Sequence, residues 1–353
     1  MSENMRIDSH KLIYHPDRVA KYLAGEKIYP IEIEIGLSGA CNHRCIFCAV
    51  DYMEYKPIML DKGVLLRNLK PIAEKGLKSI IFSGEGEPLL NKSAGDIIST
   101  AKEYGIDCAM STNGVLLNQE VADQILSSLT WIRFSIAAGI EETYKKIHKA
   151  AEGDLQKVFD NMSYCVQRKK EKHLNVTLGA QLLLLPDNKE EVIPLAKKLR
   201  EIGIDYFTIK PFSQHPHSKT KMQVDYEELI KLASEVEKLK TDRFDVIFRT
   251  NSVNNLAHEK TYDVCRGLPF MTHIDASGNV FPCVAHVGVE EYRYGNLYEK
   301  SFEEIWNSQH AQKIMSQFCG DVLHSECREA CRLDEINKYL DELCHPGGHV
   351  NFI

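Results

Sequence analysis

Short apolar runs alternate with longer amphipathic stretches over the first two thirds of the chain. The runs with the composition and period of β-strands are Ile31–Ile35, Ser79–Phe82, Cys108–Ser111, Trp131–Ile136, Asn175–Leu184 and Tyr206–Lys210. Between them, apolar residues recur with helical spacing near 62–75, 93–104, 117–128, 155–171 and 189–202. This alternation predicts an α/β fold with helices packed outside a parallel sheet, although periodicity alone does not separate a barrel from an open sheet. In either fold, the loops at the strand C-termini are expected to carry the functional site.

The pattern changes after the sixth predicted strand and one further helix-like stretch. Phe244–Arg249 has the pattern of one more strand, and six of the eleven cysteines lie from Cys265 onward, among short elements. We therefore expect an N-terminal extension, a large α/β domain and a small cysteine-rich domain, at 1–30, 31–250 and 251–353. The extension is too short to form an independent domain.

Charge and hydropathy exclude several classes of partner. The net charge of −7 gives no basic footprint, so we expect no nucleic-acid partner. No apolar stretch approaches the ~20 residues that span a bilayer, and residues 1–16 lack the apolar segment of a secretion signal. Eleven cysteines without an export signal are expected to be reduced thiols. The sequence therefore predicts a cytoplasmic protein with no membrane partner.

Three cysteines lie close together in the loop after the first predicted strand. Cys41, Cys45 and Cys48 have the spacing C-x3-C-x2-C. Three thiolates on a cubane iron–sulfur cluster leave the fourth iron free to bind a small molecule. The alternatives are a structural zinc site, with His43 or a later cysteine as fourth ligand, and a disulfide framework. Zinc fits less well because the next cysteine is Cys108, and a disulfide framework fits poorly with an odd number of cysteines.

With Phe47 before the last cysteine, the motif resembles the signature of radical S-adenosylmethionine (radical SAM) enzymes. In that family, S-adenosylmethionine (SAM) chelates the free iron of a 4Fe–4S cluster, and an electron from the cluster cleaves the sulfonium. The resulting 5′-deoxyadenosyl radical abstracts a substrate hydrogen atom. The resemblance implies a partial (β/α)6 TIM-like barrel over 31–250, with Cys41, Cys45 and Cys48 as ligands. It also implies an external electron donor such as flavodoxin or ferredoxin.

Loops after the second, third and fourth predicted strands resemble other parts of that family's cofactor site. The segment Ser83–Pro88, with sequence Ser-Gly-Glu-Gly-Glu-Pro, resembles the GGEP motif that contacts the methionyl amino group of SAM. The third loop offers hydroxyl and amide groups, and the fourth matches the serine of a Ser-Leu-Asp motif but has Ala137 at its acidic position. Each loop by itself is equally consistent with an ordinary turn. The resemblance implies cofactor-binding roles for Gly84, Glu85, Gly86, Glu87, Ser111, Asn113 and Ser135.

The loop after the sixth predicted strand is rich in side chains that transfer protons. It contains Lys210, His215 and His217. Histidine, and lysine when desolvated, can accept a proton near neutral pH. We expect the catalytic base among these three residues and substrate contacts along the loop, the alternative being a polar surface loop.

The C-terminal cysteines resemble those of SPASM or twitch domains, which bind auxiliary iron–sulfur clusters. Cys265 and Cys283 fit the pattern C-x12-G-x4-C around Gly278, within an expected hairpin. Six cysteines are too few for two complete four-cysteine clusters, so one auxiliary 4Fe–4S cluster is expected. A second, incompletely ligated cluster and structural zinc remain alternatives. The candidate ligands are Cys265, Cys283 and Cys331, with a fourth from Cys319, Cys327 or Cys344.

These features together predict an oxidoreductase. After hydrogen abstraction, an auxiliary cluster could accept the remaining electron, giving oxidation of a small, sugar- or cyclitol-like substrate. Modification of a peptide is the main alternative; the 30 residues before the first strand are too short for the peptide-recognition domain that such enzymes often carry. An activase acting on a partner protein and a non-enzymatic iron–sulfur protein are further alternatives.

Overall fold

Seven parallel strands form the main sheet of the computed structural model, which describes residues 6–222, 224 and 226–352, without the side chains of 226–231. The strands pair in chain order. They are β1 (Glu32–Ile35), β2 (Ser79–Phe82), β3 (Asp107–Thr112), β4 (Leu129–Ser135), β5 (Thr177–Leu184), β6 (Tyr206–Pro211) and β7 (Asp245–Phe248). The parallel α/β architecture expected from the alternating pattern is confirmed.

One helix precedes β1, and the others connect the strands on the outer face of the sheet. They are α1 (Pro16–Leu23), α2 (Lys62–Glu74), α3 (Ala94–Glu103), α4 (Gln119–Ile125), α5 (Glu141–His148), α6 (Asp154–Glu171), α7 (Val192–Ile202) and α8 (Tyr226–Glu237). Apolar periodicity did not predict α5, because it is only eight residues long and buries only Tyr144, Ile147 and His148. Among the described residues, no helix has the length and apolar character that a membrane span requires.

Side chains alternate along each strand between the helix layer and the inside of the curved sheet. Ile33 and Ile35 in β1 are fully buried in the main hydrophobic core, as are Ile132 and Phe134 in β4. The residues between them, Glu34 and Arg133, are charged. Glu34 pairs with Arg332, an arginine from the C-terminal region. The inside of the sheet is therefore polar, which is where a barrel of this kind needs its chemistry.

A hairpin from the C-terminal region extends the same sheet beyond β1. Strand β8 (Met271–Ile274) pairs in parallel with β1, and β9 (Asn279–Phe281) and β10 (Gly295–Asn296) continue it in antiparallel fashion. The expected hairpin is confirmed, and its turn contains Gly278 at φ 77°.

The remaining C-terminal elements are helices that pack near the place where this hairpin meets the main sheet. They are α9 (Thr250–Ala257), α10 (Phe302–Asn307), α11 (Gln309–Gln317), α12 (Gly320–Ser325) and α13 (Asp334–Cys344). Trp306 is fully buried and donates from Nε1 to the Ile28 carbonyl at 2.9 Å. One hydrophobic cluster contains core residues of both the main sheet and these helices. The C-terminal region and the sheet therefore form one packed body.

Candidate functional site

The segment after β1, residues 36–55, forms the cysteine loop. Its cysteines Cys41, Cys45 and Cys48 are half-buried and free of disulfides. Burial raises the pKa of the Cys41 thiol to about 11, and it also raises the pKa of Cys45 and of Cys48. Buried thiols of this kind keep their protons unless a metal replaces them.

The distances between these sulfur atoms distinguish an iron–sulfur cluster site from a site for a single zinc ion. A tetrahedral zinc with Zn–S distances of about 2.3 Å brings its sulfur ligands to about 3.8 Å from one another. Within the described part of the chain, no three cysteines have all their Sγ atoms within 4.8 Å of one another. A cubane accommodates wider separations, since each thiolate binds a different iron. The sulfur atoms of Cys41, Cys45 and Cys48 are therefore spread more widely than the ligands of one zinc ion.

His148 lies against the middle cysteine and tests the alternative zinc site. His43, Cys45 and His148 have potential ligand atoms within 4.8 Å of one another. However, the Ala137 amide donates to His148 Nε2 at 2.9 Å, so the neutral ring carries its proton on Nδ1. That Nδ1 lies 3.2 Å from Cys45 Sγ. His148 is therefore a hydrogen-bond donor to the Cys45 sulfur and has no free lone pair for a metal.

Helix α5 and the loop after β6 hold the cysteine loop from two sides. The Arg44 and Ile46 amides donate to the carbonyls of His148 and Ile147 at the end of α5, at 3.0 and 2.9 Å. On the other side, Asp51 accepts from the backbone amides of Lys219 and Thr220 at 2.9 and 3.1 Å. The cysteine loop is thus fixed before any cofactor binds.

The glycines of the Ser83–Pro88 segment allow it to pack on the cysteine loop. A Cβ atom on Gly86 would lie 2.2 Å from the Ala40 carbonyl oxygen, and Gly84 adopts φ 139° with its Cα side facing Gly36. Neither position tolerates a side chain. The backbone of this segment is therefore the part placed beside the cluster site.

The side chains of the two glutamates in this segment face neighbouring loops of the protein. Glu85 accepts from the Ala276 amide at 2.6 Å, and its other oxygen lies 3.7 Å from His273 Nε2. Glu87 is buried and accepts from Thr112 Oγ1 at 2.6 Å and the Asn113 amide at 2.8 Å. Both glutamates therefore link this segment to neighbouring loops.

The other expected cofactor residues lie along β3 and β4. Asn113 donates from its side chain to Asn42 of the cysteine loop at 2.7 Å, which keeps it beside the cluster site. Ser111 accepts from Arg133 at 2.9 Å inside the sheet. Ser135 pairs in register with Gln181 of β5, at the C-terminal end of β4.

The candidate bases lie in two environments. Lys210, on β6, lies inside the sheet, where burial and four neighbouring arginines hold its pKa well below the usual range. His215 and His217 pack on Tyr52 of the cysteine loop, with ring centroids 5.4 and 5.6 Å from it. The His217 amide donates to His215 Nδ1 at 3.2 Å, so neutral His215 carries its proton on Nε2. Burial also lowers the pKa of His215 to about 3, and these features make it a poor proton acceptor.

Four C-terminal cysteines come together from distant parts of the sequence. Burial raises the pKa of Cys265, Cys283 and Cys327, and the Cys331 thiol adds to each of these shifts. Of the three cysteines that the sequence left open, Cys327 is the one that lies within electrostatic reach of Cys283 and Cys331.

Cys319 and Cys344 lie apart from this set. The exposed Cys319 thiol donates to the Ser316 carbonyl at 3.5 Å, although its backbone pairs with Val264. Cys344 ends α13, near Tyr22 and Arg266. The structure thus brings four of the six candidate cysteines together, because C-terminal spacing alone does not show which side chains face inward.

Sequence reasoning missed three residues that the structure places at these sites. His148 contacts Cys45, His286 Nε2 lies 3.7 Å from Cys327 Sγ, and Arg328 donates to the Ser213 carbonyl at 2.8 Å. His286 follows Cys283 by three residues and Arg328 follows Cys327 directly, so proximity to cysteines was a usable signal for both. His148 lies in the short helix α5, about 100 residues from its partner, and carries no local signal.

Two family models match the chain in the two regions just described. The model of the radical SAM superfamily matches residues 35–199, and that of the SPASM iron–sulfur cluster-binding domain matches residues 265–333. This chain belongs to the radical SAM superfamily. Radical SAM proteins with a SPASM domain bind a 4Fe–4S cluster, SAM and auxiliary iron–sulfur cofactors, which agrees with the donor sets of both cysteine groups.

Two curated relatives give different names to similar chains. An S-adenosylmethionine-dependent nucleotide dehydratase of Lacinutrix mariniflava is 36% identical over 118 residues, which are 32% of this chain and 25% of that protein. A tungsten-containing aldehyde ferredoxin oxidoreductase cofactor-modifying protein of Pyrococcus furiosus is 22% identical over 290 residues, 77% of this chain and 80% of its own length. The first match thus spans only a quarter of that relative.

Solved structures of peptide-bound radical SAM proteins share the fold. Streptococcus suis SuiB bound to the precursor peptide SuiA has a TM-score of 0.67 at 17% identity, covering 95% of this chain and 78% of SuiB. The protein anSMEcpe with AdoMet and a peptide has a TM-score of 0.60 at 16% identity, covering 88% of each chain. At these identities the likeness establishes architecture alone.

Proposed function

We propose that this radical SAM enzyme is an oxidoreductase that removes two electrons from a small, sugar- or cyclitol-like substrate. The observation that carries the proposal is the joint between the two cysteine groups. Tyr52 of the cysteine loop donates to the Val287 carbonyl at 2.7 Å, four residues beyond Cys283. A ligand held beside the cysteine loop would therefore lie next to the auxiliary group.

The proposed ligands follow from the two donor sets. Cys41, Cys45 and Cys48 would hold the SAM-binding cluster, and Cys265, Cys283, Cys327 and Cys331 one auxiliary 4Fe–4S cluster. The backbone of Gly84–Gly86 and the side chain of Asn113 would line the SAM site, with Ser111 and Ser135 beside them. We place the domain division at residues 250 and 251, with 1–30 as an extension. A flavodoxin or ferredoxin in the cytoplasm would supply the first electron.

When bound, these groups supply a 5′-deoxyadenosyl radical and an electron acceptor. With these groups in place, the substrate would lose one hydrogen atom, one proton and one electron, which together convert an alcohol to a ketone. We assign the base to His217. Its Nε2 is buried and has no hydrogen-bond partner among the described residues, and its ring lies 6.3 Å from that of His286. His286 in turn contacts Cys327, so the proton and electron acceptors are adjacent.

Modification of a peptide or protein is the alternative within the same chemistry. The name of the Pyrococcus furiosus relative, a cofactor-modifying protein, refers to maturation of another enzyme, and that match spans 80% of the relative. The nucleotide dehydratase name supports a small-molecule substrate over a shorter match.

Turnover assays separate these alternatives. Anaerobically reconstituted enzyme with dithionite and SAM should release 5′-deoxyadenosine faster when a small-molecule fraction of cell extract is added, and the product should be lighter by two hydrogen atoms. His217→Gln should lose product while keeping background SAM cleavage, and His215→Gln should keep both. Stimulation by a peptide fraction alone would favour the maturase. A rearranged product of unchanged mass would exclude oxidation.

A further inference from the structure

Cationic side chains converge inside the curved sheet, on the side opposite the helices. They come from β4, from β6, from the end of β7 and from the segment between Cys327 and α13. We call them the barrel cations, and they are Arg133, Lys210, Arg249, Arg328 and Arg332. Lys210 lies within electrostatic reach of all four arginines, and Arg133 within reach of Arg249 and Arg332. They form a single group.

Protein carboxylates balance only part of this charge. Arg332 pairs with Glu34 and with Glu32, the latter at 3.0 Å, and Arg249 pairs with Asp8 at 3.2 Å. Their charges are therefore satisfied within the protein.

The other three cations have no carboxylate partner among the described residues. Arg133 donates to Ser111 Oγ at 2.9 Å and lies over the Trp131 ring at 5.2 Å. Arg328 donates to the Ser213 carbonyl, while its buried Nε has no partner. No hydrogen bond or ion pair joins the side chain of Lys210 to a described residue. Two arginines and a lysine without carboxylate partners in one interior are costly, and burial together with the neighbouring arginines accordingly lowers the pKa of Lys210.

The charge of the auxiliary cluster and the carboxylate of SAM do not balance Arg133, Lys210 and Arg328. Arg328 lies near Cys283 and Cys331, so it also answers the charge of the auxiliary cluster. Arg133 and Lys210 have no cysteine among their electrostatic neighbours, which are other cations, Tyr206 and Glu34. The carboxylate of SAM carries a single charge next to the molecule's own positive groups. Arg133 and Lys210 are therefore left to be balanced by a negatively charged ligand.

We propose that Lys210, Arg133 and Arg328 bind the phosphate groups of a phosphorylated small-molecule substrate inside the sheet. This proposal rests on the proposed function, in which the ligand is a substrate, and it adds the chemical class of that substrate. Phosphate fits better than a carboxylate, because it carries more charge and more acceptor oxygens, and guanidinium groups bind it in bidentate fashion. Binding there would place the rest of the substrate between the cysteine loop and His217.

Binding of inorganic pyrophosphate tests this site without any turnover. Titration calorimetry on anaerobically reconstituted enzyme should detect binding that weakens at least about tenfold in Lys210→Met and in Arg133→Gln, as expected for loss of a charged hydrogen bond. The exposed residues of α7 give matched controls, Lys197→Met and Arg200→Gln, which should bind like wild type. Iron content and cluster absorbance, recorded before and after, confirm that each variant is folded and loaded.

Three results would overturn the proposal. They are no pyrophosphate binding by wild type, equal weakening in the control variants, and tighter binding of succinate than of pyrophosphate. Loss of SAM binding in Arg133→Gln with unchanged pyrophosphate binding would also contradict it, since Arg133 would then belong to the cofactor site. None of these measurements involves hydrogen abstraction, so the proposed oxidation could fail while the phosphate site stands, and the reverse.

Discussion

The two cysteine groups differ in the number of donors and in how the chain assembles them. The first takes three cysteines from eight consecutive residues of one loop, whereas the second takes Cys265, Cys283 and the Cys327–Cys331 pair from three separate segments. Three donors leave a coordination position for SAM, and four close the site. The comparison teaches that the first cysteine group is built by local sequence and the auxiliary group by the tertiary fold.

Both groups receive neutral hydrogen bonds at their sulfur atoms. The first has His148 at 3.2 Å from Cys45. In the second, Asn337 Nδ2 lies 3.5 Å from Cys265 Sγ, and the Leu333 amide lies 3.4 Å from Cys331 Sγ. Such contacts stabilise a thiolate without adding charge, and they tune the potential of a cluster.

The largest expected effect separates the two groups directly. Cys45→Ala should abolish SAM cleavage, because two remaining thiolates do not retain a cubane, while about four irons of the auxiliary cluster should remain. The measurement is iron and sulfide content together with release of 5′-deoxyadenosine. Cys165→Ala, in the core of α6, is the control and should keep both clusters. Loss of all iron in Cys45→Ala would show that the two centres do not assemble independently.

The second prediction concerns the fourth auxiliary ligand. Cys327→Ala should lose about four irons and the oxidised product, yet retain SAM cleavage by the first cluster. Cys319→Ala and Cys344→Ala should keep wild-type iron content, since both thiols lie apart from the set. Iron loss in either of these two variants, with Cys327→Ala unaffected, would reassign the ligand.

The local sequence was sufficient to predict a feature wherever its motif lies at the end of a single strand. The spacing of Cys41, Cys45 and Cys48 and the alternation of strands and helices predicted the family and the α/β fold. The side-chain directions of Glu85 and Glu87 were not predictable, because their partners Ala276 and Thr112 lie in other segments. For the same reason the four arginines among the barrel cations had no sequence signal, and Lys210 was predicted as a candidate base and not as part of a cationic group.

A smaller effect is expected from the hydrogen bond to Cys45. Removing the His148 donor with His148→Phe should lower the midpoint potential of the first cluster by about 40 mV, the equivalent of ~1 kcal/mol for one electron. A donor stabilises the more negative, reduced cluster, which fixes the sign. Redox titration followed by electron paramagnetic resonance measures the shift. His148→Asn keeps an N–H near the Nδ1 position and should restore most of it.

An unchanged or raised potential in His148→Phe would exclude this role. A parallel shift of the auxiliary cluster would also count against it, since His148 contacts only the first group of cysteines. The comparison between the two centres would then rest on donor number alone.

The smallest effect concerns the contact between His273 on β8 and Glu85 of the Ser83–Pro88 segment. Burial alone would lower the pKa of His273 on β8, but Glu85, Glu34 and Asp275 together raise it. A raised folded-state pKa contributes stability below the unfolded value of about 6.5, and this contribution is lost as pH rises through the folded value. Glu85→Gln keeps an acceptor for Ala276 but removes the charge. Its melting temperature should lie about 2–4 °C below wild type near pH 6, with the gap closing toward alkaline pH.

Thermal melts of the loaded protein across this pH range measure the gap. Exposed Glu142 on α5 provides the matched control, because Glu142→Gln removes one carboxylate charge far from His273 and should leave the melting curve parallel to wild type. A gap in Glu85→Gln that does not change with pH would mean that Glu85 acts through its hydrogen bond to Ala276 alone. A gap that closes would show that protonated His273 ties the hairpin of the auxiliary centre to the glycine segment beside the reactive one.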